Sequence, residues 1–310
     1  MANIVIKATL SEIDQMKEYY GPYIKDTVPP GSVFSARKGG CTITAYRSGK
    51  VMFQGAGNEE EANKWGSLDH KPAAPKLVKA SGTPLPENIS MMSAIGSDEV
   101  GKGDYFGPLT VVAAYVKKEH IPLLQELGVR DSKHLSDRQI ASIAKDLLAL
   151  IPYSSLKLSN KKYNEVQSSG MTQGKMTAIL HNRALLYLSK KIAPEKPEAI
   201  LVDQFAEARM YFRHLKGQKT IVKENVYFST KAESIHLAVA AASILARYSF
   251  LQAMEQLSKK AGFALPKGAG SKVDAAAARL IKDKGLSALP EFAKIHFANT
   301  GKAKKIAGIS

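Results

Sequence analysis

Asp98 and Glu99 are adjacent carboxylates at the end of an apolar run, Ser93-Ala94-Ile95-Gly96-Ser97. A glycine-punctuated loop follows, Val100-Gly101-Lys102-Gly103-Asp104-Tyr105-Phe106-Gly107-Pro108, and then Leu109 to Val116, a β-branched run that reads as a buried strand. The order is strand, acidic corner, Gly loop, strand. Side chains alternate faces along a strand, so two adjacent acids point the same way only where the strand ends or twists. Carboxylates fed by an apolar segment are costly unless a charge offsets them, and a divalent cation is the usual answer. On the pair alone, two solvated acids in a turn explain the sequence equally well.

Two further acids share this setting. Glu198-Ala199-Ile200-Leu201-Val202-Asp203 is another apolar strand ending in a carboxylate. Glu233 precedes Ser234 to Arg247, a long segment almost without polar residues in its first half, which predicts a buried helix with Glu233 in its first turn, where the dipole favours an acid. Taken singly, Asp203 is a turn residue and Glu233 a first-turn acid. Taken together with Asp98 and Glu99, at strand tips or a helix start in the more basic part of the chain, they are candidate donors of a shared metal site. Two divalent ions about 3.5–4 Å apart on such carboxylates form the two-metal device for phosphoryl transfer. Oxygen-only donors favour Mg²⁺ or Mn²⁺. The seven histidines form no HExxH pair and there is no Cys–His cluster, which speaks against zinc; no G-x-x-x-x-G-K-[ST] loop is present, which speaks against a P-loop NTPase.

The elements around these acids are legible in outline. Ser136 or Asp137 caps a helix to about Leu150, and Thr172 opens a helix from Lys175 to Ile192. Lys133, in the polar loop before the first of these, is a candidate phosphate contact or an exposed loop lysine. Thr172 and Lys175 make a plausible anion site at a helix start, or a routine cap. Nearer the N-terminus, residues 2–10 alternate as a strand, and Ser11 is placed to cap a helix running to about Pro22. Cys41 to Tyr46 and Val51 to Gly55 form a β-hairpin across Arg47-Ser48-Gly49-Lys50, and Ala56 to Trp65 is a short helix with Glu59, Glu60 and Glu61 in its first turns. No acid occurs from Thr27 to Asn58, so Arg37, Lys38, Arg47 and Lys50 give this sheet a basic face able to hold a nucleic-acid backbone. Residues 71–90 hold four of the 14 prolines and three lysines without periodicity, and read as a linker between a module at 1–70 and a larger domain at 91–310.

The bulk numbers agree with a nucleic-acid partner. The 310-residue chain has a net charge of +16. Residues 1–90 carry 11 Lys and Arg against 9 Asp and Glu, and residues 91–310 carry 33 against 19, so the basic field surrounds the acids. Hydrophobic residues make up 45%, enough for a real core. No run of 18 apolar residues predicts a transmembrane helix, and the first residues do not read as a secretory signal. Cys41 is the single cysteine and has no disulfide partner within the chain. The expectation is a cytoplasmic monomer with no membrane partner.

Asp98-Glu99-Val100-Gly101-Lys102-Gly103, Asp131-Ser132-Lys133, Val202-Asp203 and Ala240-Ala241-Ala242-Ser243-Ile244-Leu245-Ala246 occur in an order and spacing that resembles type 2 ribonucleases H over about residues 91–300. Gly103 to Pro108, Asp203-Gln204-Phe205, Leu265 to Gly270 and His296 to Thr300 resemble the bacterial ribonuclease HIII group within it. Thr42 to Trp65 resembles the hairpin-and-helix unit of the TATA-binding-protein repeat, an extension that group carries. The resemblance implies an α/β (α+β) chain: a ribonuclease H-like mixed sheet flanked by helices, plus a small antiparallel N-terminal sheet domain that binds substrate. It implies endonucleolytic hydrolysis of the RNA strand of RNA–DNA hybrids, leaving 5′-phosphate and 3′-hydroxyl ends. Asp98, Glu99 and Asp203 match three family acids; Glu233 falls at the fourth, where many relatives have Asp. Lys102 stands where ribonucleases HII usually have Arg, in a loop, Gly101-Lys102-Gly103, expected to press its backbone against the ribose 2′-hydroxyl. The rival readings are a non-catalytic hybrid-binding protein and a DNA nuclease of the same fold.

Overall fold

The computed structural model describes residues 4–29, 31–65 and 84–309. The chain divides into two compact units, residues 1–76 and 77–310. Residues 71–83 of the expected linker lie outside the described residues. Residues 89–91 of its far end form a 3₁₀ turn whose Ile89 is buried in the core of the second unit.

The first unit is a four-stranded antiparallel sheet of order β1-β4-β3-β2, built from β1 (Ile4–Lys7), β2 (Ser32–Lys38), β3 (Cys41–Tyr46) and β4 (Lys50–Gly55). Helices α1 (Leu10–Tyr19) and α2 (Asn58–Asn63) pack on one face. Phe34, Ala36, Ile43, Val51 and Phe53 point to that face, and the period of two leaves the alternate residues on the other. Thr9, not Ser11, caps α1: its hydroxyl accepts from the Glu12 amide, and the Glu12 carboxylate accepts from the Thr9 amide. The reciprocal bond needs Glu at the third helical position, which only Thr9 has. The helix stops at Tyr19, and Pro22 falls in a separate 3₁₀ turn, Gly21–Tyr23. Cys41 is buried with its thiol free, and burial raises its pKa.

The second unit centres on a five-stranded mixed sheet of order β7-β6-β5-β8-β9: β5 (Ala94–Val100), β6 (Leu109–Val116), β7 (Tyr153–Leu158), β8 (Ala199–Asp203) and β9 (Val226–Ser229). The short Gly loop turns β5 back antiparallel against β6, with Val100 opposite Thr110. Strand β8 follows α3 (Ile121–Glu126), α4 (Asp137–Leu150), α5 (Asn160–Ser168) and α6 (Gln173–Ile192), and lies parallel to β5, as a long crossover permits. Strand β9, after α7 (Ala208–His214), is parallel to β8. The chain ends in α8 (Leu237–Ala261), α9 (Ser271–Lys284), α10 (Leu289–Phe292) and α11 (Ala298–Ala307).

Helices α3, α4 and α8 cover one face of the sheet, and α6 and α7 the other. Helix α8 is long and apolar enough to cross a bilayer, yet 72% of its most apolar window is buried, as in the core helix of a globular domain. It lies against β5 and β6 because Gly96 has no Cβ: a methyl there would overlap the Ala238 carbonyl carbon and the Val239 amide nitrogen. Ser136 caps α4 with a reciprocal Gln139, settling the Ser136-or-Asp137 alternative, and Thr172 caps α6.

Candidate active site

Strands β5, β8 and β9 are parallel, so their carboxyl ends emerge at one end of the sheet, where open α/β sheets place their sites. Asp98, Asp203 and the turn after β9 that carries Glu233 therefore converge there. Asp98 and Glu99 lie within β5, but the pairing with β8 stops at Ser97 and Val202, one residue short of them. The two acids serve opposite faces. Asp98 accepts from Ser243 of α8 and from the Glu99 amide, the latter at 2.7 Å. Glu99 accepts at 3.0 Å from Nε2 of His181 on α6.

Glu233 corrects the sequence reading. It sits in a 3₁₀ turn, Ala232–Ser234, upstream of α8, and His236 is the cap. The His236 Nδ1 accepts from the Ala238 amide at 2.9 Å, and its Nε2 donates to the Met92 carbonyl at 3.0 Å, so the helix cannot begin earlier. The turn aims the Ala232 amide at Asp203 Oδ1, 3.0 Å away.

The electrostatics are those of a crowded acidic pocket. Burial, with Glu99 and Asp203 adding to it, pushes the Asp98 carboxyl up to about 8. Burial also raises Asp203, against the Ala232 amide, and Glu233 and Glu99 raise it further. Glu233 is buried; its Oε1 accepts from Lys133 Nζ at 2.8 Å, while its Oε2 is buried with no hydrogen-bond partner. Such an orphaned carboxylate oxygen beside protonation-prone neighbours suits a hard cation. Among the described residues, no three donors already close a cage around an ion. Lysines stand in for positive charge instead: Lys133 on Glu233, and Lys102 Nζ at 3.7 Å from Glu99 Oε1. The Glu233 carboxylate raises the Lys133 pKa, keeping it charged.

The expected basic residues divide by unit. Lys102 and Lys133 join the acids, and Lys102 also lies over the Phe205 ring, 4.9 Å from its centroid. Lys175 is at the start of α6, whose Gln173 donates to the Lys102 carbonyl at 2.9 Å. Arg47 and Lys50 are exposed at the β3–β4 hairpin of the first unit. The Gly loop is held by its glycines: Gly101, at φ +95°, has no room for a Cβ against the Pro108 carbonyl, whereas Gly103 is exposed with nothing within 4 Å of where a Cβ would stand.

Two residues escaped sequence reasoning. His181, wholly buried, links Glu99 to Ser97, whose Oγ is 2.7 Å from Nδ1. Its ring stacks on Phe205 at 5.1 Å. Ser243 holds Asp98 and is itself 2.9 Å from the Ser132 hydroxyl. Each partnership spans many tens of residues, and no local pattern announces it.

A family model described as Ribonuclease HII matches residues 95–300, and one described as a domain of unknown function matches residues 3–76. Ribonuclease HIII of Bacillus subtilis (strain 168) is 57% identical over 99% of this chain and 98% of its own length. Ribonuclease HIII of Bacillus licheniformis is 57% identical over 99% of both. A crystal structure of Bst-RNase HIII in complex with Mn²⁺ is 47% identical, covers 99% of both chains and superposes with a TM-score of 0.71. The chain therefore belongs to the ribonuclease HII family, in its ribonuclease HIII group, the metal-dependent endoribonucleases that cleave the RNA strand of RNA–DNA hybrids.

Proposed function

We propose that Asp98, Glu99, Asp203 and Glu233 hold two Mg²⁺ or Mn²⁺ ions, and that cleavage of the hybrid's RNA strand there leaves 5′-phosphate and 3′-hydroxyl ends. The observation that carries this reading is the buried, unpartnered Oε2 of Glu233 next to Asp203, whose charge, with that of Glu99, adds to the burial that pushes the Asp98 carboxyl up to about 8. The Mn²⁺ complex of Bst-RNase HIII supports it. Bound divalent ions supply an activated water and charge stabilisation for the leaving 3′-oxygen. The protein does the rest. His181 and Ser243 orient Glu99 and Asp98 from opposite faces of β5, and the Ala232 amide orients Asp203. Lys133 is exposed except at its contact with Glu233, so its ammonium is free to turn to an incoming phosphate. Lys175 and Lys102 contact neighbouring phosphates, and the backbone of Gly101 to Gly103 meets the ribose.

Gly103→Ala tests the loop. A methyl there clashes with nothing in the protein, so folding is unchanged; on a surface that meets ribose it obstructs the substrate. Cleavage of a uniform hybrid should fall by about tenfold or more, the scale of a misplaced recognition surface, with Tm unaltered. Wild-type turnover would remove the loop from substrate recognition.

The first unit, in this reading, is a TATA-binding-protein-like substrate-binding domain whose open sheet face, with Arg47 and Lys50 at its edge, follows the hybrid backbone. Removing residues 1–76 should weaken hybrid binding about tenfold or more at moderate salt, because two linked sites act together. The Mn²⁺-induced rise in Tm of the remaining unit should persist. Unchanged hybrid affinity in a binding assay would assign the domain another role. The reading carries the chain as a monomer in a reducing cytoplasm, for which the buried free thiol of Cys41 is suited.

A further inference from the structure

Lys294 is a lysine with no exposed surface, and among the described residues it forms no ion pair; the Asp104 carboxylate acts on it only from beyond ion-pair distance. Its Nζ donates to two backbone carbonyls, Asp104 at 2.8 Å and Gly107 at 2.6 Å. Its own amide donates to the Tyr105 carbonyl at 2.9 Å, and the Gly107 amide donates to the Phe292 carbonyl at 3.1 Å. Phe106 and Ala293 pair as an isolated antiparallel bridge. Residues 292–294 thus clasp residues 104–107, the returning half of the Gly loop. The Asp104 amide in turn donates to the Gly101 carbonyl at 3.3 Å, tying the clasped half to the outward half.

A buried amine is an expensive way to fill space. Burial lowers its pKa to about 8 against the charge of Asp104, and its ammonium stands 5.7 Å from the centre of the Tyr163 ring. A methionine would fill a similar volume without desolvating a charge. What lysine supplies is one donor atom on which two carbonyls three residues apart can converge, in either protonation state. The Gly107 carbonyl has a second donor, Asn160 Nδ2 at 2.9 Å, whereas Lys294 Nζ is the one side-chain donor found on the Asp104 carbonyl among the described residues. Without Nζ the Asp104 carbonyl, one residue past Gly103, loses its side-chain donor, and the loop is left with the Gln173 bond to the Lys102 carbonyl on the other side of Gly103.

We propose that Lys294 is a positioning residue for substrate selection: from beneath, it fixes the backbone shape with which Gly101, Lys102 and Gly103 tell an RNA–DNA hybrid from a DNA duplex. This rests on the reading that the loop meets the ribose. Among the described residues Lys294 makes no hydrogen bond or ion pair with Asp98, Glu99, Asp203 or Glu233, so its effect is on selection and not on metal binding.

The test uses the full-length protein with Lys294→Met and Lys294→Gln, and Gly103→Ala as the loop control. Affinities for a hybrid and for a DNA duplex of the same sequence are measured in Ca²⁺, together with the rise in Tm on adding Mn²⁺. Lys294→Met should lower the hybrid-over-duplex preference about tenfold, the scale for losing a residue that orients a working group. Lys294→Gln, which keeps N–H donors, should retain more of the preference, and the Mn²⁺-induced rise in Tm should stay at the wild-type value in both. If Lys294→Met keeps the preference within twofold while Gly103→Ala loses it, the loop reading stands and the role of Lys294 falls. If both variants keep it, the loop reading itself falls. A parallel loss of Mn²⁺ stabilisation, or equal losses in Met and Gln, would make Lys294 a general prop and overturn the proposal.

Discussion

Asp98→Asn should lower hybrid cleavage by at least about 10³-fold, the cost of removing one charged group from a preorganised site, while hybrid affinity in EDTA stays within about twofold of wild type, because phosphate contacts and not the acids supply affinity. The geometry keeps the two effects separate. An amide oxygen still accepts from the Glu99 amide, so β5 keeps its local bonds. The charge is what disappears, and in the metal-free protein that charge is a burden, set in buried surroundings beside Glu99 and Asp203. Asp98→Asn should therefore raise the Tm of the metal-free protein and abolish most of the rise that Mn²⁺ produces in wild type. Near-wild-type turnover in Mg²⁺ would remove Asp98 from the reaction.

The same carboxyl sets a pH dependence. Its folded pKa of about 8 is above the unfolded value of about 3.9, so the folded state binds the extra proton. That stabilisation is fully present below about pH 4 and is lost as pH rises toward 8. In EDTA, Tm should fall across this window in wild type and fall less in Asp98→Asn. Metal must displace the proton, so the Mn²⁺-induced rise in Tm should be larger at pH 8 than at pH 6. A rise independent of pH would mean that Asp98 is ionised before metal arrives.

What was legible in the sequence followed from local chemistry. Apolar runs ending in acids located Asp98, Glu99 and Asp203, and helical periodicity with cap residues located α4 and α6. Reading failed where two local signals compete or where the signal is not local. Ser11 and Thr9 both suit a cap, and only the Glu three positions on decides for Thr9. Local signals put Glu233 at the start of the following helix, whereas the cap is His236, which draws its strength from the distant Met92 carbonyl. Strand β2 has alternation broken by a register shift between Ser32 and Phe34, and β7 mixes serines with leucines, so neither stands out as a strand. His181, Ser243 and Lys294 act across separations that no window spans.

Gly96→Ala carries the largest expected effect on stability. The missing Cβ at Gly96 is the space in which the first turn of α8 crosses β5. The atoms it would meet are backbone, so no side chain can rotate away. Overpacking against yielding side chains costs about 1–3 kcal/mol, and against a helix backbone the upper end of that range or more is expected. For a unit of this size that is a fall in Tm of about 6–12 °C. The displaced element is the one that brings Ser243 to Asp98, so activity should fall even at temperatures where the variant is folded. Gly301→Ala is the control: it is exposed within α11, has open space at its Cβ, and should gain about 0.5–1 kcal/mol from helix propensity. Thermal unfolding of the two variants beside wild type would separate the cases. A wild-type Tm for Gly96→Ala would mean that α8 can slide along β5, and the acidic corner would then owe its geometry to the strand ends alone.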